Sequence, residues 1–244
     1  MLLERYREAI DDLFRKVRDT QTENIVKAGE IVAESVANGG CIFLSSICHH
    51  MEMDSIYRGG GPIFYKHFSY ELNVENGGRA RDNSDLGYDR QGAEARYALM
   101  NSNFRPGDVL FLSSVSGRTK KVVDLAYEAV KLGIKVIAFT SMEYAVKVDP
   151  VHPSGKKLYE IATLTIDNCA PAAEAMIDVP GIEAKFGAAS GIASDYIMWS
   201  ITSVAVEKLL ERGITPGILK SANFPGGNDY NKTVIEPNYE KFGW

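Results

Sequence analysis

Cysteine is scarce in this chain. Its three cysteines in 244 residues, Cys41, Cys48 and Cys169, stand far apart and cannot all pair. No disulfide framework is therefore expected, and a reducing, cytoplasmic setting follows. No apolar run approaches the roughly 20 residues that cross a bilayer. The N-terminus mixes acidic and basic residues where a secretory leader would carry an apolar core. A positive surplus is missing too: 27 Lys and Arg face 32 Asp and Glu, for a net charge of -5, which argues against general nucleic-acid binding. Repeats and low-complexity tracts are absent. What remains is ordinary globular composition, 45% hydrophobic and 24% charged, long enough to bury a proper core within one domain.

Asp108–Ser141 organises the rest. Val109–Leu112 is an apolar run of the kind that forms a strand buried on both faces. A hydroxyl-rich turn, Ser113–Thr119, leads into a helix whose Val122, Val123, Ala126, Ala129 and Val130 share one face. Gly133 ends that helix, and Lys135–Thr140 is a second buried strand. The turn places Ser114, Ser116 and Thr119 at a helix N-terminus, where unpaired N–H groups and the helix dipole favour an anion. Gly117 allows close backbone approach. The turn has neither the Gly-Lys-Ser/Thr ending of a P-loop nor a GxGxxG fingerprint. Ser114, Ser116, Gly117 and Thr119 therefore read as a phosphate site without a nucleotide signature. Simple capping by Ser116 or Thr119 is the bland alternative; it explains one hydroxyl, not three.

Around this unit the pattern predicts two N-terminal helices in residues 1–38. The first uses Leu3, Tyr6, Ile10, Leu13, Phe14 and Val17, and Thr20 with Glu23 has the spacing of a capping box for the second. Strands are expected at Cys41–Ser45, at Pro62–Phe68 as an edge, and at Ala162–Ile166. Residues 39–213 form the α/β core and 214–244 a tail rich in Gly, Asn and Pro. Ser190–Arg212 is apolar around most of its first turns, so one side faces the sheet and the other needs a partner, expected to be another subunit. Alternating strands and helices give a three-layer α/β/α fold with a five-stranded parallel sheet in flavodoxin-like order 2-1-3-4-5. The exits of the first and third strands then meet at the topological switch point.

Cys48, His49 and His50 invite a metal reading. Three adjacent residues rarely converge on one ion, so no metal is expected. A histidine here also titrates near neutral pH and suits proton transfer, which makes His49 a catalytic candidate. The loop 75–92 is long for a connection, and Arg79 or Arg81 within it is a further phosphate candidate. Asp149–Lys157 follows the carboxyl end of a strand, where open α/β sheets bind ligands, and draws attention to Ser154 and Lys156.

Ser-x-Ser-Gly-x-Thr between two buried strands resembles the SIS (sugar isomerase) domain family, and the stretches His152–Asp167 and Val206–Asp229 are similar to a branch grouped with the phosphoheptose isomerases. The resemblance implies a phosphosugar ligand, no cofactor, and a homodimer or homotetramer. It places Ser45, Ser46 and Cys48 where the family carries a Gly-x-Gly-x-Ser turn, as sugar contacts. It also places the catalytic base on an acid after the first strand, Glu52 or Asp54. The histidine that the family's phosphoheptose isomerases carry on the last long helix is absent from Ser190–Arg212, although Asp195 lies there. Two functions are thus expected: an aldose–ketose sugar-phosphate isomerase, or a non-catalytic phosphosugar sensor that works with partner proteins.

Overall fold

The computed structural model describes residues 1–48, 54–75, 77–79, 82, 87 and 89–243, with residues 46–48 described by their backbone. Five strands, β1 (Ile42–Cys48), β2 (Tyr65–Phe68), β3 (Val109–Ser113), β4 (Lys135–Thr140) and β5 (Leu164–Asp167), form a parallel sheet in the order β2-β1-β3-β4-β5. That is the expected order, with β1 and β3 adjacent where it reverses. The reason is the apolar runs: every residue of β3 is buried, which only a sheet covered on both faces permits.

Successive side chains of a strand alternate between the faces. Val109 and Phe111 join Ile42, Leu44, Ile137, Phe139 and Ile166 on one side. This side is covered by α1 (Leu2–Ala37) and α5 (Ser190–Glu211). Leu110 and Leu112 join Phe43, Val136 and Ala138 on the other, under α2 (Arg90–Met100) and α3 (Lys120–Lys131). A short α4 (Met142–Ala145) and a turn of 3-10 helix, Leu158–Glu160, follow β4. No helix of the described residues is long and apolar enough to cross a membrane.

Several local expectations are corrected. The N-terminus is one helix of 36 residues, not two. The Thr20 hydroxyl donates to the Lys16 carbonyl at 2.8 Å inside the helix, so it caps nothing. Gly29 does not break the helix, because α5 comes so close there that a Cβ would stand 2.5 Å from Val204. The second face of α5 is accordingly taken by α1 of the same chain, with Phe14 stacked on Tyr196 at 4.8 Å between ring centroids. Between Glu174 and Asp178, which the sequence places in a loop before Pro180, runs β6 (Ala175–Ile177), paired antiparallel with β7 (Phe186–Ala188). The tail forms α6 (Gly227–Phe242), with Pro237 inside it. The sequence Met51–Tyr57 reads as a short helix; residues 54–57 form turns and bends, and 51–53 lie outside the described residues.

Candidate functional site

The corner between β3 and α3 is fixed by its backbone. The Ser114 N–H donates to the Phe139 carbonyl at 3.0 Å, and the Ser141 N–H to that of Val115 at 3.0 Å. The Thr140 hydroxyl reaches the same Val115 carbonyl at 3.1 Å. The corner is therefore clamped to the exit of β4. Gly117 closes the turn by donating to the Ser114 carbonyl at 2.9 Å, and its own carbonyl accepts from Leu158 at 2.8 Å. Its φ of +65° is in the left-handed region, and a Cβ would stand 3.1 Å from the Thr140 hydroxyl. Both facts select glycine.

Thr119 is the N-cap residue of α3, but its side chain makes no capping bond. Its hydroxyl lies 3.2 Å from that of Ser114 instead. The Val122 and Val123 N–H groups both turn to the Thr119 carbonyl, and those of Lys120 and Lys121 have no carbonyl one turn back to reach. Simple capping thus fails for Thr119, and the structure brings Ser114, Ser116, Gly117 and Thr119 together around an uncapped helix start. Next to it the Ser113 hydroxyl is buried with no hydrogen-bond partner among the described residues.

At the end of β1 the pairing with β3 is irregular: Leu44 faces Phe111, and the next registered pair is Cys48 with Ser113. β1 therefore carries extra residues where the family turn would have glycines, a distortion that re-aims side chains. Ser45 is buried. His49, His50, Glu52 and Arg81 lie outside the described residues, as do the side chains of Ser46 and Cys48. Asp54 is exposed and ion-paired with Arg58 on the following turn. Across from Arg58, Asp195 of α5 is half-buried; desolvation raises its carboxyl above the ordinary range, and the Arg58 charge only partly opposes this.

Sequence reasoning missed a polar cluster behind α3. Asp124, 2% exposed, accepts from the Lys120 ammonium at 2.8 Å and pairs with His152 Nε2 at 2.8 Å. Lys120 also bonds Asp89 at 2.7 Å, and His152 Nδ1 lies 2.7 Å from the Ser154 hydroxyl. Asp89, Asp124 and His152 have the donor chemistry of a metal site, with ligand atoms within 4.8 Å of one another. The Lys120 ammonium already bonds two of the three and supplies the positive charge. The available signal was the spacing of Lys120 and Asp124, one helical turn apart. Ser154 is bound into this cluster, while Lys156 stays exposed.

A three-layer α/β/α protein with an uncapped, hydroxyl-lined corner at the switch point of its sheet is the class these features define. The chain belongs to the SIS domain family, whose model matches residues 5–141. Among its relatives, a UPF0309 protein of Shouchella clausii is 33% identical over 241 residues, covering 96% of this chain and 95% of that one. A UPF0309 protein of Streptomyces griseus is 34% identical over 232 residues, or 93% and 91%. In fold, the chain is similar to a phosphoheptose isomerase from Neisseria gonorrhoeae, at a TM-score of 0.51 and 14% identity, over 85% of this chain and 98% of that one.

Proposed function

We propose that this chain binds a phosphorylated sugar, with the phosphate at the β3–α3 corner, and interconverts an aldose and a ketose phosphate. The observation that carries the binding half is the Thr119 hydroxyl turned away from its capping role, beside Ser114 and Ser116 at the start of α3. Neutral hydroxyl and N–H donors with a helix dipole suit a phosphate monoester. The sugar then extends toward the end of β1, where Ser45, Ser46 and Cys48 supply contacts.

Isomerisation moves a proton between neighbouring carbons through an enediol. It needs a base near neutral pH and a second group to carry the hydroxyl proton. Glu52 and His49 are the candidates for the base. Asp54 is the weaker one, since its carboxylate is exposed and already engaged by Arg58. Asp195 takes the second role, because burial brings its carboxyl nearer to the working range. A homodimer or homotetramer completes the proposal.

Incubation with a panel of sugar phosphates in deuterated water tests both halves. Thermal stabilisation together with exchange of the C2 proton is the expected result. The Ser116→Ala, Thr119→Ala double variant should weaken binding at least about tenfold, because each lost charge-assisted bond is worth roughly 1.5 kcal/mol or more. Undiminished affinity would mean the phosphate sits elsewhere. Stabilisation without exchange would leave the second reading, a phosphosugar sensor, which the absence of histidine from α5 favours.

A further inference from the structure

The amino ends of the strands hold a cavity of about 560 Å³. β3 is five residues long, so at about 3.3 Å per residue this cavity lies roughly 16 Å from the phosphate corner, at the opposite end of the strands. Its floor is Phe43 of β1 and its roof the last turns of α6. The volume is in the range of small-molecule sites, roughly 300–1,000 Å³.

The lining gathers cations in a chain whose net charge is negative. Lys66 of β2 and Arg105 ahead of β3 both face it. Among the described residues the lining has one carboxylate, Asp108, and both of its oxygens accept from backbone: Oδ1 from the Cys41 N–H at 2.9 Å and Oδ2 from the Arg105 N–H at 2.8 Å. Lys66 is half-buried, and among the described residues no carboxylate lies within ion-pair reach. The group facing its ammonium is the Tyr57 ring, 5.9 Å away. Burial without a counter-charge is costly and pulls the Lys66 pKa below its ordinary value. An anion in the cavity would relieve that cost.

The walls add a second requirement. Tyr57 is 73% exposed and Tyr239 67% exposed, and with Phe242 they line the same cavity. A nucleobase presents a π-face to such rings, and stacking on aromatic side chains tolerates any base. We propose that this cavity is a separate ligand site for a free nucleotide, whose phosphate is held by Lys66 and Arg105 and whose base stacks against Tyr57, Tyr239 and Phe242.

Calorimetric titration of the full chain with AMP, GMP, adenosine and inorganic phosphate tests this. Saturable binding of AMP or GMP is expected, with adenosine and inorganic phosphate each weaker by at least about tenfold, because each lacks one half of the recognition. Lys66→Met and Arg105→Met should each weaken AMP and GMP by a similar factor. Lys66→Met should not lower the unfolding temperature, since it removes a half-buried charge that no carboxylate among the described residues balances; lost binding is then not lost folding. Tyr239→Ala should weaken AMP and GMP but leave inorganic phosphate unchanged. The Ser116→Ala, Thr119→Ala variant should bind AMP and GMP as the parent does. No saturation at millimolar AMP and GMP would overturn the proposal. So would inorganic phosphate binding as tightly as AMP, or AMP binding lost with Ser116 and Thr119 and kept in Lys66→Met. None of these results bears on sugar phosphates at the β3–α3 corner.

Discussion

Thr119 and Gly117 hold the corner in its shape by different means. Thr119 gives up its capping bond for a contact with Ser114, whereas Gly117 supplies a backbone angle that other residues reach only with strain. Gly117→Ala meets two penalties: the left-handed φ of +65° and a Cβ 3.1 Å from the Thr140 hydroxyl. Gly155, with φ +70° and nothing within 4 Å of an added Cβ, meets only the first. Gly155→Ala should cost about 1 kcal/mol and Gly117→Ala about 1–2 kcal/mol more, measured by urea unfolding. Equal costs would show that the Thr140 contact is slack. Asp195 makes a prediction in pH. Burial raises its folded pKa, so the folded state holds a proton that the unfolded state has released. Its contribution is therefore fully present below the unfolded carboxylate value, near pH 4, and is lost as pH rises through the raised folded value. Relative to Asp195→Asn, the parent should lose stability over that window, and a flat difference between the two pH profiles would refute it.

Among the elements, what could be read in the sequence is what a short window contains. The buried runs of β3 and β4, the face of α3, Gly133 behind it and the hydroxyl-rich corner are all local patterns, and each is found where it was expected except Val130, which ends exposed beyond the buried face of α3. Elements fixed by distant partners were not legible. Thr20 and Glu23 looked like a cap because nothing in their neighbourhood reveals that α5 runs alongside and keeps the helix going past Gly29. The Gly- and Pro-rich tail hid α6. The candidate site divides in the same way: the turn Ser114–Thr119 was legible as a turn before a helix, but the Lys120–Asp124–His152 cluster behind it joins residues 28 positions apart. That cluster braces the start of α3. Asp124→Ala would leave His152, whose side chain is 9% exposed, without its acceptor, and Lys120 with Asp89 alone. A loss of about 2–4 kcal/mol is expected. Lys120→Met should cost less, since Asp124 keeps His152 and the Lys120 side chain is 28% exposed. A larger loss for Lys120→Met would mean that the ammonium, not the imidazole, carries the brace.

For the molecule as a whole, the decisive packing is α1 on α5. An apolar helix such as α5 can hide its outer face on a neighbouring subunit or on its own chain, and here α1 provides the cover. The layer is closed so tightly at Gly29 that a Cβ would stand 2.5 Å from Val204 Cβ and 3.1 Å from the Ile201 carbonyl. Neither atom is the flexible end of a long side chain, so Gly29→Ala must move one helix away from the other, at about 1–3 kcal/mol. Gly191→Ala, in the first turn of α5 with nothing within 4 Å of the new Cβ, should be neutral or slightly stabilising, because alanine loses less entropy than glycine in a helix. Because both partners of the tight contact are on one chain, the cost of Gly29→Ala should be the same at low and high protein concentration. A cost that grows on dilution would instead make this layer part of a contact between subunits.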